Sequence, residues 1–143
     1  MMCVLISCAG VPCLQHQTCT CNTVPPHDLE IRGSSNISRE LDTVTIECNV
    51  TASPPANITW LKRTSEDSRK LLNTSRTSIT HQVTYISRGP VTSSTLVISN
   101  LEVTDSGDYV CEARNSHSSP PVSTNFPITV ISKSTHICRE VTI

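Results

Sequence analysis

The residues with the most chemistry to offer are eight cysteines: Cys3, Cys8, Cys13, Cys19, Cys21, Cys48, Cys111 and Cys138. At this density in a chain of 143 residues, thiols serve either as metal ligands or as disulfides. Cys8, Cys13, His16, Cys19, Cys21 and His27 supply the sulfur and imidazole donors that zinc takes, but their spacing matches no common zinc finger. Four Asn-x-Ser/Thr triplets begin at Asn36, Asn49, Asn57 and Asn73. Such triplets accept glycans on the secretory route, where disulfides also form and persist. Together they point to an extracellular chain, on a cell surface or secreted, with bridged cysteines. No metal and no cofactor are expected.

Catalytic signatures are hard to find. Gly10, Gly33, Gly89 and Gly107 stand too far apart for a phosphate-cradling G-x-G-x-x-G or a P-loop. Neither a G-x-S-x-G elbow nor an H-E-x-x-H helix occurs. Glu66-Asp67 lies in a mixed-charge stretch, 62–70, which reads as a solvated loop. An enzyme with a small-molecule substrate is therefore not expected. A net charge of −1 and scattered Lys and Arg, none before Arg32, give no field for nucleic acid. No run of eighteen apolar residues occurs, so no membrane insertion is expected within this chain. The start, 1–14, holds Val4, Leu5, Ile6, Ala9, Val11 and Leu14, interrupted by cysteines and lacking a basic flank. It reads either as a signal-like start or as part of an upstream cysteine-rich module.

Short β-type runs separated by turn chemistry must position the remaining candidates. Successive strand side chains point to opposite faces, so alternation assigns inward residues. Run 43–50 turns Val44, Ile46, Cys48 and Val50 one way and Thr45, Glu47 and Asn49 the other. Run 57–62 contributes Ile58 and Trp60, and run 93–99 contributes Leu96 and Ile98. Run 108–113 adds Tyr109, Cys111 and Ala113, and run 123–131 adds Phe126, Ile128 and Val130. A weaker run, 79–86, places Val83 and Tyr85 on the parity of Ile79, which also turns His81 inward. Ser53-Pro54-Pro55, Arg88-Gly89-Pro90 and 115–121 have loop chemistry, and Pro25-Pro26 reads as a stiff linker.

Cys48, Trp60 and Asp105-Ser106-Gly107-Asp108-Tyr109-Val110-Cys111 resemble the immunoglobulin superfamily. The stretch Ala52-Ser53-Pro54-Pro55-Ala56-Asn57-Ile58-Thr59-Trp60-Leu61-Lys62 looks like the corner and strand that follow the first cysteine in its I-set members. The resemblance covers about three-quarters of the chain and leaves I-set and V-set both open. It implies an all-β, two-sheet sandwich with a cysteine-rich N-terminal extension. It pairs Cys48 with Cys111, places Trp60 against that bridge, and makes Tyr109 a corner tyrosine bonded to backbone near Asp105. Gly107 permits the tight turn there, and Arg76 is the candidate partner for Asp105. An extra strand near 69–73 would explain the long cysteine spacing. The other cysteines then form an even set of six, Cys3, Cys8, Cys13, Cys19, Cys21 and Cys138, with fifteen possible pairings among themselves, and pairing to another chain is equally open.

Three zones follow: residues 1–26 as a cysteine-rich segment and proline linker, 27–131 as the immunoglobulin-like domain, and 132–143 as linker or truncated continuation. What the resemblance implies is a protein-binding module of an adhesion or receptor protein, part of a larger chain. A small secreted or matrix binder and an intracellular I-set spacer are the alternatives. The binding candidates are Leu61 and Val110, which either form an exposed apolar patch or are covered by side chains of the extra strand, with Glu112 on the same face and His117 in the 115–121 loop.

Overall fold

The computed structural model describes residues 23–133. Within them the strands, in chain order, are β1 (Val24–Gly33), β2 (Ile37–Arg39), β3 (Val44–Ser53), β4 (Asn57–Arg63) and β5 (Ser68–Lys70), then β6 (Thr77–Ile86), β7 (Gly89–Ile98), β8 (Gly107–Arg114) and β9 (Val122–Ile131). A 3-10 turn, Val103–Asp105, joins β7 to β8. One sheet has the order β1-β3-β7-β6 and the other β2-β9-β8-β4-β5. This is the all-β, two-sheet sandwich that the resemblance implies.

The core forms because alternate residues of the inner strands are apolar. Val44, Ile46, Cys48, Val50 and Ala52 of β3 are buried, as are Leu96 and Ile98 of β7. Ile58 and Trp60 of β4, Tyr109, Cys111 and Ala113 of β8, and Ile128 and Val130 of β9 meet them from the other sheet. Each large apolar side chain removed from water contributes about 1.5–3 kcal/mol.

Two links cross between the sheets at the centre. Cys48 and Cys111 are bonded, with their Cα atoms 6.4 Å apart. Their separation of 63 residues restricts the unfolded chain by about 4 kcal/mol in the loop-entropy account. Beside the bridge, Trp60 Nε1 donates to Ser94 Oγ at 2.8 Å. Trp60 is the register partner of Cys111, and Ser94 that of Cys48. The disulfide and the indole bond therefore span the core side by side.

Some segments differ from the sequence reading. Pro25-Pro26 is not a free linker but lies in β1, which pairs with β3 from Val24↔Ser53 to Gly33↔Ile46 with two register irregularities. Run 79–86 is a real strand, but Val83 and Tyr85 are exposed although they share the parity of Ile79. The extra strand exists as β5, three residues long, so part of 62–70 is strand and not loop. Lys62 is buried on the inner side of β4 and donates from Nζ to the Thr104 carbonyl. Its four-carbon stem fills core space while the ammonium finds a carbonyl at the edge.

Gly33 marks the place where the chain leaves the first sheet. After it, β2 joins the second sheet parallel to β9. A Cβ on Gly33 would stand 2.3 Å from Phe126 Cζ, so the ring of Phe126 closes over bare backbone.

At the far end a buried carboxylate clasps the turn. Asp105 Oδ2 accepts from Arg76 Nη1 at 2.8 Å and from the Glu102 N–H at 2.8 Å. Arg76 Nη1 also reaches the Asn100 carbonyl at 2.9 Å. Tyr109 donates its hydroxyl to the Asp105 carbonyl at 2.6 Å, and the Val130 N–H donates to Ser106 Oγ at 2.9 Å. Gly107, at φ +154°, lets β8 start close to β4, where a Cβ would be 3.0 Å from the Arg63 carbonyl oxygen. Burial works against the Asp105 charge, but the Arg76 and Glu102 bonds outweigh it and hold its pKa below the ordinary 3.8. Burial also pushes the Tyr109 phenol up, so it stays protonated as a donor.

Two measurements check this account. Gly33→Ala should cost about 1–3 kcal/mol in urea unfolding, because the Phe126 ring must move. Adding Phe126→Leu should recover part of that loss, and additive losses would show that the ring is not the obstacle. For Asp105 the folded pKa lies below the unfolded value. Its stabilisation is thus complete above about pH 4 and disappears as pH falls through the lower folded pKa. Asp105→Asn should lower stability at neutral pH by about 1–3 kcal/mol and flatten the acid limb of the stability curve.

Candidate binding surface

The two outer faces of the sandwich differ in chemistry. On the four-stranded sheet, Thr45, Glu47, Asn49, Thr95, Val97 and Ser99 point outward, with Glu30 and Arg32 of β1 beside Asn49 and Glu47. Hydroxyl and amide groups thus share this face with a small charged group at its β1 side. On the five-stranded sheet, Arg63, Lys70, Asp108 and Glu112 lie around Leu61, and Arg114 lies farther along the same face opposite Asn57. Arg63 faces Asp108 and Leu61 faces both Lys70 and Val110 in register, and Glu112 pairs with Arg114 at 2.9 Å. The second face thus carries more charges, of both signs, and sets them near an apolar residue.

The expected apolar patch needs correcting at one residue. Val110 points outward but is 2% exposed. It sits on β8, the central strand of five, with Leu61 on one side in register and Asn125 on the other, and longer neighbours close over a short branched side chain. Leu61, one strand nearer the edge, stays half-buried and Glu112 is half-buried beside it. His117 is exposed in the loop after β8, where its N–H donates to Asn115 Oδ1.

That loop is anchored by a residue the sequence reading passed over. Asn115 Nδ2 donates to the Val24 carbonyl at 2.9 Å and to the Pro54 carbonyl at 3.1 Å. One amide thus ties the β8–β9 loop to the start of β1 and to the β3–β4 corner. Nothing local in the sequence marks Asn115 for this, because both acceptors are distant along the chain.

The glycosylation candidates separate by exposure. Asn36, Asn57 and Asn73 are exposed, whereas Asn49 is half-buried on β3 with Nδ2 donating to Glu47. Asn73 Oδ1 accepts the Ile79 N–H at 2.7 Å. A glycan would attach through Nδ2 and leave that bond in place. Of the N-terminal Cys/His cluster, Cys8, Cys13, His16, Cys19 and Cys21 lie outside the described residues, as do Cys3 and Cys138.

A cleft of about 260 Å³ opens at the side of the sandwich, between β5 and β6. Lys62, Arg69, Lys70 and Arg76 line it, with Asp105 and Tyr109 at its floor. Burial pushes the Lys62 ammonium pKa down, Asp105 opposes that, and Arg69 and Arg76 add to the fall. Among the described residues, no helix is long and apolar enough to cross a membrane.

Comparison with known proteins places these features in a family. Residues 25–115 match the family model described as an immunoglobulin domain. Lachesin of Drosophila melanogaster is 34% identical over 86 residues, which are 60% of this chain and 22% of that protein. The chain therefore spans about a fifth of that relative's length. Among solved structures, the mouse nectin-like molecule 4 ectodomain (Ig1–Ig3) shares the fold at TM-score 0.57 and 21% identity, over 77% of this chain and 35% of that one. A chimeric titin Z1Z2 shares it at TM-score 0.59 and 22% identity, over 78% of this chain and 99% of that one. At these identities the structures speak for the fold alone. With the matched residues covering the disulfide, the indole beside it and the tyrosine corner, the chain belongs to the immunoglobulin family.

Proposed function

We propose that this chain is an extracellular protein-binding module of an adhesion or receptor protein, contacting its partner through the outer face of the five-stranded sheet. The observation that carries the reading is the contrast between the two outer faces. One is mainly hydroxyl and amide groups, with Glu30, Arg32 and Glu47 confined to its β1 side. The other sets Leu61 among Arg63, Lys70, Asp108 and Glu112, which can fix the orientation of a protein partner through charge and shape together. The loop bearing His117 adjoins this sheet between β8 and β9 and extends the same contact. N-glycans at the exposed Asn36, Asn57 and Asn73 fit the same compartment. The segment before β1, with its cysteines, belongs in this reading to a larger extracellular chain.

The test uses the whole chain, secreted from cultured cells and displayed as a tetramer on a panel of cell types. Leu61→Arg and Glu112→Lys should each reduce staining of the responding cells at least tenfold, while Thr95→Arg on the opposite face leaves it unchanged. Val110→Arg reports on folding instead, because that side chain is buried. Unchanged staining with a folded Leu61→Arg variant rejects this face. Peptide-N-glycosidase should lower the mass of the secreted chain, with Asn36→Gln, Asn57→Gln and Asn73→Gln each removing one step.

A further inference from the structure

The sandwich has four edge strands, and three of them are protected against pairing with another chain. β1 carries Pro25 and Pro26 and two register irregularities. β2 is three residues long, and β5 is three residues long and bears Arg69 and Lys70. Short length, proline, irregular register and basic side chains are the devices that keep sheet edges from templating foreign strands. The fourth edge, β6, has none of them. It runs ten residues in unbroken register with β7 and contains no Lys, Arg, Asp, Glu or Pro.

The direction of its main-chain groups is fixed by its ends. The Arg76 carbonyl accepts from Ser99 on the β7 side, whereas the Thr77 carbonyl accepts from Thr74 and the Ile79 N–H donates to Asn73 Oδ1 on the other side. Main-chain groups of successive residues alternate between the two sides. His81, Val83 and Tyr85 therefore aim their N–H and C=O groups away from β7, and among the described residues no strand pairs with that side. Their side chains are exposed as well, Val83 at 41% and Tyr85 at 61%.

We propose that β6 is a homotypic pairing edge, through which two copies of this chain join antiparallel at His81, Val83 and Tyr85 into one continuous sheet. A two-fold axis at Val83 sets Val83 against the partner's Val83 and His81 against the partner's Tyr85. Each aligned pair exchanges two main-chain bonds, about six in all. The lack of charge selects the occupant. At a two-fold contact each residue meets its own counterpart, so any charge near the axis would repel itself. β-branched and aromatic pairs are the favourable cross-strand combinations. The contact is small, so the pairing is weak between free chains and gains strength where copies are arrayed on a surface. It is separate from the outer-face contact proposed above.

Sedimentation equilibrium on the full chain tests this, with free thiols alkylated and N-glycans trimmed. The wild type should show a reversible monomer–dimer equilibrium at concentrations up to the order of 1 mM. Val83→Pro should weaken it at least tenfold while keeping the thermal melt, because that N–H takes no part in the β6–β7 ladder. Val83→Lys should do the same, and it carries the test alone should the proline variant unfold. Leu61→Arg should leave the dimer intact. A wild type that stays monomeric over this range overturns the proposal. So does a dimer indifferent to the folded Val83 variants, or one dissolved by Leu61→Arg.

Discussion

The structure depends on holding two sheets face to face with few aromatic side chains to fill the space. The chain has one Trp, one Phe and two Tyr, so bulk alone does not lock the layers. Instead Cys48–Cys111 and Trp60–Ser94 cross the core as neighbours, one covalent and one a hydrogen bond. The indole N–H would be costly to bury without an acceptor, and Ser94, itself fully buried, supplies it. Each link holds the sheets at the separation the other needs. The register of β3 with β7 and of β4 with β8 follows, and with it the side chains that each outer face presents.

Away from that centre the core admits charge, and the arrangement shows what this requires. Asp105 is buried because Arg76, the Glu102 N–H and the turn geometry leave its Oδ2 satisfied. Lys62 is buried because a carbonyl receives its ammonium and Asp105 lies near enough to favour its charge. Neither ion would be tolerated alone. The corner tyrosine then fastens the same turn to the core from the other side.

Much of the sandwich is legible in the sequence because alternation is a local signal. Val44-Thr45-Ile46-Glu47-Cys48-Asn49-Val50 declares both its faces, and the observed burial follows that parity. Parity says which way a side chain points, however, and not what stands over it. Val110 points outward and is buried because β8 is central, whereas Val83 and Tyr85 share the parity of a core residue and are exposed because β5 is too short to cover them. Lys62 was hidden by its charge and Ser94 by its small polar side chain. Asn115 acts through acceptors 91 and 61 residues away, a distance no local pattern encodes.

The path of the chain through the sandwich carries a mechanical consequence. Val24 enters beside the β3–β4 corner, and Ile131 leaves at the opposite end, where β2 lies parallel to β9. Glu40 Oε2 grips the exit, accepting from Ser132 Oγ at 3.2 Å and from the Lys133 N–H at 3.1 Å. Tension between these two points runs along the strands. The β1–β3 and β2–β9 ladders then carry the load in shear, with their hydrogen bonds strained together instead of being peeled apart one at a time. Behind them the disulfide bounds how far the chain can extend, since the 63 residues between Cys48 and Cys111 stay looped even after the sheets separate.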